Sequence, residues 1–325
     1  MSIEQIKDWF NNAYLNTRYK LFRKWAKKRN FGVPTFVEDF NNPSYVISDN
    51  GEYNETMVTK KENVEIKDGK LLLHTKYENK VFHGWWGTKN KIWSVGWVDY
   101  TKKPIKRGVI SVKCKLPKNY NGKDGWPAIW CLRERHPEVS TKVNLGVGNT
   151  NGRTITCSDM FKAERVNYNW YVWFNDKIVG FVEDYDISKG TVTVDRDIPK
   201  LGNEYVYVSV DHITPEIDIM EIIHGKIQTT VHYGYTISKY RSTEWNTKLI
   251  KPDYNKEYEF SVEILDKGYK FYIDGILTGV LTDKRSISEA KSILILNNAK
   301  STTVTTGSES DNNVFEILSV KFYEK

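Results

Sequence analysis

The stretch Thr214–Gly225, TPEIDIMEIIHG, sets three acids, Glu216, Asp218 and Glu221, among Ile217, Ile219, Met220, Ile222 and Ile223. Carboxylates repel one another and resist burial, whereas the residues between them belong in a core. A β-strand resolves the conflict, because residues two apart share a face. Glu216 and Asp218 then point one way, and Ile217 and Ile219 the other. Strict alternation would leave Met220 with the acids and put Glu221 in the core. A one-residue bulge near Ile219 and Met220 absorbs the surplus residue and returns Glu221 to the acidic face. The stretch therefore predicts a bulged strand with three carboxyls on one side.

The surrounding chain has the same texture. LLLHTKY (71–77), GVISVKCKL (108–116), EYVYVSV (204–210), YEFSVEIL (258–265), YKFYIDG (269–275) and FEILSVKFY (315–323) alternate or run apolar. Turn residues separate them: KDGK (67–70), KNYNGKDG (118–125), DKGY (266–269) and DNN (311–313). This is all-β punctuation, and a sandwich of antiparallel sheets is its natural architecture. Only the N-terminus differs. Ile3, Ile6, Phe10, Ala13 and Tyr14 recur at helical spacing, predicting a helix over residues 1 to about 30 that Gly32 and Pro34 stop. STTVTTGSESDNN (301–313) is the most loop-like stretch.

Composition narrows the class. With 325 residues and 39% hydrophobic content, the chain can bury a substantial core as one large or two small domains. Its 11 Trp, 20 Tyr and 13 Phe suit either sheet packing or sugar-binding surfaces. Much of the net charge of +7 lies in RYKLFRKWAKKRN (18–30), which holds seven cations and no acid. That segment is either a solvated helix face or a contact for an anionic glycan, a membrane surface or nucleic acid. Cys114, Cys131 and Cys157 are odd in number and form no CxxC, which argues against a disulfide framework. Cys114 and Cys131 sit in strand-like runs as expected buried thiols. MSIEQIKDWFNNAYLN lacks the apolar core of a signal peptide, and no run has the length of a membrane span. The expectation is a product kept inside the producing cell, or one released by lysis, as a virion-associated protein would be. No GxxxxGK[ST], HExxH or GxSxG occurs.

Three acids on one strand face are either a solvated polar face or chemical machinery. Retaining glycosidases use two carboxyls roughly 5–5.5 Å apart, a nucleophile and an acid/base. Two Glu about 13 Å apart along a strand can lean toward that gap. Asp218 between them can share a proton or hydrogen bond and drive the pKa values of its neighbours apart.

EIDIME (216–221) resembles the E-x-D-x-x-E motif of glycoside hydrolase family 16, in its bulged laminarinase-like and carrageenase-like form. Further segments resemble that family in the same order: FVEDFNN (36–42), VEIKDGKLLLHTKY (64–77), KRGVISVKCKLPKNYNGKDGWPAIWCL (106–132), IQTTVHYG (227–234), YEFSVEILDKGYKFYIDGIL (258–277) and VFEILSVKFYEK (314–325). The resemblance covers about residues 36–132 and 214–325. It implies a concanavalin A-like β-jelly roll of two antiparallel sheets with a concave cleft. By that match Glu216 is the nucleophile, Glu221 the acid/base and Asp218 the assisting acid. Trp126 and Trp130 line the cleft, His232 stands on the adjacent strand and Asn297 lies beside it. Trp130 could instead be core packing, and His232 a structural hydrogen-bond partner.

The sequence departs from the family pattern in four places. The basic segment 1–33 precedes the expected jelly roll at 34–325. An insertion at about 133–213 is expected to be β-rich, as hairpins that extend the sheet or wall the cleft. In it, Tyr168, Trp170, Tyr171 and Trp173 are either sugar platforms or the packing of a hairpin. Leu318 takes the place where the family's closing strand carries a calcium-binding Asp, so no structural metal is expected, and no cofactor either. LILNNAKSTT (294–303) keeps Asn297 but lacks the family's glycines, so a different loop is expected there.

The resemblance implies a retaining endo-glycosidase acting on a β-linked polysaccharide. The competing reading is a non-catalytic glycan-binding or structural module, virion-associated and anchored to an assembly or surface partner by its basic helix. A nucleic-acid partner rests on that helix alone and is disfavoured, because the cleft acids would repel phosphate.

Overall fold

The computed structural model of the chain describes all residues except 1–2, 85–86, 118–124, 134–142, 161–165, 167–169, 176, 199–203, 210–214, 224, 237–240, 249–250, 284–285, 288–289 and 302–303. Two sheets pack face to face. The outer sheet runs in the order Ile276–Leu281, Gly268–Ile273, Glu257–Leu265, Gly108–Lys115, Asn313–Glu324, Lys70–Gly84, Gly87–Val95, Met57–Thr59 and Glu52–Asn54. Phe36–Val37 and Val64–Lys67 add to it at the side. The inner sheet runs Arg241–Lys248, Lys226–Thr236, Glu216–Ile223, Gly125–Arg133, Ser292–Lys300, Trp97–Asp99 and Val46–Ile47. Pairing is antiparallel throughout the described strands except for Met57–Thr59 against Gly87–Val95.

Local sequence explains the hairpins. Asp68–Gly69 and Asp274–Gly275 adopt positive φ as pairs (51° and 69°; 52° and 76°). Each forms a two-residue turn whose twist matches the flanking strands, and Gly takes the second left-handed position without strain. Between the sheets lies one continuous core. It includes Ile217, Ile219, Met220 and Ile222 from the acidic strand, with Ile110, Val112, Phe260, Val262, Phe315 and Ile317 from the outer sheet. Burying each such side chain is worth about 1.5–3 kcal/mol. Cys114, Cys131 and Cys157 are all free and buried.

The helix spans Ile3–Phe22 and stops short of the predicted residue 30. Two contacts draw the chain off its axis. The amide of Arg29 donates to the carbonyl of Gly275 (2.7 Å), and Phe31 packs edge-on against Tyr272. A continuing helix would also stack like charges four apart, Lys20 on Lys24 and Lys24 on Lys28. The helix covers the end strand of the outer sheet. The Asn12 side chain donates to Val280 O and accepts from Val280 N, each at 2.8 Å, so it occupies the bonding groups a further strand would take. Among the described residues, no helix is long and apolar enough to cross a membrane.

The insertion is β-rich, as expected, but its form differs from the hairpins expected there. It neither extends the jelly-roll sheet nor forms a simple hairpin. Six strands, Val143–Asn151, Thr154–Cys157, Tyr171–Phe174, Lys177–Asp186, Thr191–Val194 and Glu204–Ser209, close into a barrel. Leu145, Ile155, Val172, Phe174, Val192, Val206 and Val208 fill it as a separate core. Closure leaves no open edge to pair with the main sheet. Trp170 is buried here, Tyr171 and Trp173 face outward, and Tyr168 lies outside the described residues.

Candidate active site

The acidic strand is bulged at the predicted place. Against Gly125–Arg133, Trp130 pairs with Asp218 and Ile129 with Met220, so Ile219 has no opposite number. Against Lys226–Thr236, Asp218 pairs with Thr230 and Glu221 with Gln228, so Ile219 and Met220 together face Thr229 alone. Ile219 and Met220 both turn into the core. The carbonyl of Ile219, displaced from the ladder, accepts a hydrogen bond from the Thr229 hydroxyl at 3.1 Å.

This bulge brings Glu216, Asp218 and Glu221 to one face. Asp218 and Glu221 are buried, and Glu216 is half-buried. Partners come from both flanking strands. The Trp126 indole donates to Glu221 Oε1 at 2.5 Å. His232, opposite Glu216 in the register, reaches Asp218 Oδ2 with Nε2 at 3.3 Å. The Trp130 indole donates to Asn297 Oδ1 at 2.7 Å. Asn297 is buried in mid-strand within Ser292–Lys300, so its observed contact is an orienting one to Trp130, and the loop expected there begins only after Lys300. The seven predicted residues are therefore on one side of one sheet, on four adjacent strands.

Two aromatic residues that sequence reasoning missed complete the wall. Trp97 meets the half-exposed Trp130 edge-to-face at 5.4 Å, and Tyr53 tilts against Trp97 at 5.3 Å. Burial, then the charges of Glu221, Glu216 and Asp218, raise the Tyr53 hydroxyl well above its ordinary range, so it stays a neutral donor near the acids. The Tyr53 hairpin is clasped from below. The wholly buried Lys91 donates to Glu52 Oε1 and Asn54 O, both at 2.6 Å, and to Glu55 O at 3.1 Å.

The electrostatics match the geometry. Burial, then the Asp218 charge, pushes Glu216 up to about 7, with His232 opposing. Burial, then Asp218, pushes Glu221 up to about 8, while the Trp126 hydrogen bond opposes and Glu216 adds to the rise. The two Glu therefore titrate together beside the Asp218 charge, and the last protons to leave belong to the pair. Near neutral pH these buried carboxyls still hold protons, as acid/base chemistry requires. Glu216, Asp218 and His232 also bring ligand atoms within 4.8 Å of one another, a trio that could hold a cation. A proton shared among them serves the same charge balance.

Solved structures match this arrangement of strands over most of the chain. One is the laminarinase catalytic domain of Thermotoga maritima, 18% identical with a TM-score of 0.54, covering 90% of this chain and 98% of that one. Another is SCLam, a non-specific endo-β-1,3(4)-glucanase from family GH16, 15% identical with a TM-score of 0.57, covering 92% and 95%. The chain has the jelly-roll fold of glycoside hydrolase family 16. A third structure, described with endo-acting O-glycanases of the human gut microbiota that initiate mucin breakdown, is 17% identical with a TM-score of 0.55 over 92% and 93%. No family sequence model and no curated protein sequence matches the chain. The likeness to the family 16 fold is thus one of backbone. In Asn313–Glu324, the closing strand of that fold, Leu318 is the residue skipped at a register shift between Ile317 and Ser319.

Proposed function

We propose that this protein is a retaining endo-glycosidase that cleaves a β-linked polysaccharide, a β-glucan in the first instance, by double displacement. The observation that carries the reading is the bulged strand. It buries Glu221 against a tryptophan donor and sets Glu216 and Asp218 beside it in a pocket that raises both Glu pKa values. In the first step Glu216 attacks the anomeric carbon, the glycosidic bond breaks, and the Glu221 proton passes to the leaving oxygen. A glycosyl ester on Glu216 results. In the second step Glu221, now ionised, takes a proton from water, which attacks the same carbon and frees Glu216. Asp218, held by His232, keeps its charge between the two Glu and favours the state with one proton. Trp126, Trp130 and Trp97 offer flat faces to the C–H faces of sugar rings. The matched glucanases support a glucan as substrate, and the matched O-glycanase makes mucin-type chains a comparison worth including.

The test is a digestion panel of laminarin, mixed-linkage β-glucan and mucin, with the anomer of the first product read by NMR. The expected result is internal cleavage of at least one polymer with the β anomer formed first. Glu216→Gln should abolish it, and Glu221→Gln should lower it by about 10²–10⁴-fold. An inverted product, or turnover that survives both substitutions, overturns the assignment. Binding without cleavage would favour the non-catalytic glycan module.

A further inference from the structure

We propose that the outward face of the N-terminal helix, together with the cationic segment that follows it, is a docking surface for an anionic lipid bilayer, on which the helix lies without crossing. The proposal is independent of the chemistry assigned to the cleft, which belongs to the other sheet.

One side of Ile3–Phe22 packs on the outer sheet. Asn12, Leu15 and Tyr19 are buried, Asn12 is bonded to Val280, and Tyr19 enters the main core. A helix turns about 100° per residue, so these three lie about 140–200° round from Phe10. Tyr14 and Leu21 lie only about 40° and 20° round from Phe10, on the opposite side. There Phe10 and Tyr14 are each 64% exposed and Leu21 is 63% exposed. The three mark a stripe about 17 Å long, eleven residues at about 1.5 Å each. Thr17 stands on the same stripe between Tyr14 and Leu21, and its hydroxyl donates to Ala13 O at 2.9 Å. Its polar atom is therefore already bonded when the face leaves water. Single exposed apolar side chains are ordinary, but an aligned stripe of large ones marks a contact surface. Trp25, in the turn after the helix, is 78% exposed and adds a further large apolar side chain.

Charge chooses the partner. The sequence from Arg18 to Arg29 holds seven cations and no acid. Lys20, Arg23, Lys24, Lys27, Lys28 and Arg29 are exposed. On the helix, Arg18 and Lys20 stand about 80° to either side of Phe10 and so flank the stripe. An apolar strip bordered by long cations fits a bilayer interface. The strip sinks to the acyl boundary, and the cations reach out to lipid phosphates. Other partners answer only half of this pattern. Duplex DNA or a sulfated glycan would pair with the cations and leave Tyr14 and Leu21 in water. A second copy of the chain would cover the stripe but set seven cations against seven. A bilayer with anionic head groups supplies both an apolar region and a countercharge.

The experiment mixes the full chain with vesicles of phosphatidylserine and phosphatidylcholine, or of phosphatidylcholine alone, and measures the fraction that sediments with them. The expected result is sedimentation with the anionic vesicles only. The triple substitution Lys20→Gln, Lys24→Gln and Lys27→Gln should weaken it about a hundredfold, at roughly fivefold per charge. The double substitution Tyr14→Gln and Leu21→Gln should weaken it by about tenfold or more with every cation in place. Glu216→Gln should sediment as the parent does. Circular dichroism of each variant separates misfolding from lost binding. The proposal is overturned if the parent stays in the supernatant with anionic vesicles, or sediments equally with phosphatidylcholine alone. It is overturned if the double variant sediments as the parent does, because charge alone would then hold the chain. It is also overturned if light scattering shows a dimer that the double variant releases as monomers. Lipid-dependent sedimentation of a protein that hydrolyses nothing would sink the catalytic reading and leave this one standing.

Discussion

Replacing Glu221 with Gln should make the protein more stable above neutral pH, even as it removes the proposed acid/base. Burial and the Asp218 charge hold the Glu221 carboxyl up to about 8, against 4.5 in an open chain. A carboxyl raised in this way binds more protons folded than unfolded. The stability it allows is fully present below about pH 4.5 and is lost as pH rises toward 8. At about 1.4 kcal/mol per tenfold, ionising it in place costs the native state roughly 4–5 kcal/mol. Part of that cost is repulsion shared with Glu216 and Asp218, so about 2–4 kcal/mol is expected for the single substitution. Gln matches Glu in size and keeps an oxygen to accept the Trp126 indole N–H, so no cavity or orphaned donor offsets the gain. At roughly 2 °C per kcal/mol for a chain of this size, Tm should rise by about 4–8 °C at pH 8.5. It should not change at pH 4.5, where both carboxyl and amide are neutral. Thermal denaturation at the two pH values measures this directly. An equal shift at both, or a lower Tm at pH 8.5, would refute the claim that a buried, charge-crowded carboxyl sits at this position.

Two further outcomes follow from the same site. The pH profile of kcat/KM should be bell-shaped with its maximum between about 7 and 8, because activity needs Glu216 ionised and Glu221 protonated; a maximum near pH 5 would contradict it. Lys91→Met should strip a donor from the Asn54 and Glu55 carbonyls, cost about 2–4 kcal/mol and raise KM by loosening Tyr53. An unchanged Tm and KM would show that the clasp is idle.

Much of this was legible because it was local. The parity of six residues was enough to locate the bulge: with Glu216 and Asp218 outward, Glu221 could join them only if Ile219 or Met220 was surplus. The Asp-Gly turns and the alternating runs likewise carry their structure in two to nine residues. Tyr53 and Trp97 escaped because they sit on strands of three residues, Glu52–Asn54 and Trp97–Asp99, too short to show a period. Trp97 left one faint signal, an aromatic two residues before Asp99 in an otherwise apolar run. The barrel was illegible for a different reason. EYVYVSV and NWYVWF alternate identically whether their strands extend a sheet or close on one another, and closure is decided by pairings between residues as far apart as 143 and 208. Lys91 was unreadable because a lone lysine among lysines gives no sign that its ammonium is buried.

The apolar company of the three acids is what makes them useful. On an open face, Glu216 and Glu221 would both ionise near 4.5 and neither could deliver a proton at neutral pH. Ile217, Ile219, Met220 and Ile222 pin the strand against the core, and the tryptophans on the opposite side limit water. The desolvation that results is the largest cause of both raised pKa values, ahead of any neighbouring charge. Asp218 then adds to a field that burial has already made strong, and the bulge determines which residues feel it. A strand that alternated strictly would have sent Glu221 into the core, where an unpaired carboxyl is neutral but out of reach of substrate. Packing and the proposed chemistry therefore share one cause: the extra residue that deepens the core at Ile219 and Met220 is the same one that returns Glu221 to the face of Glu216 and Asp218.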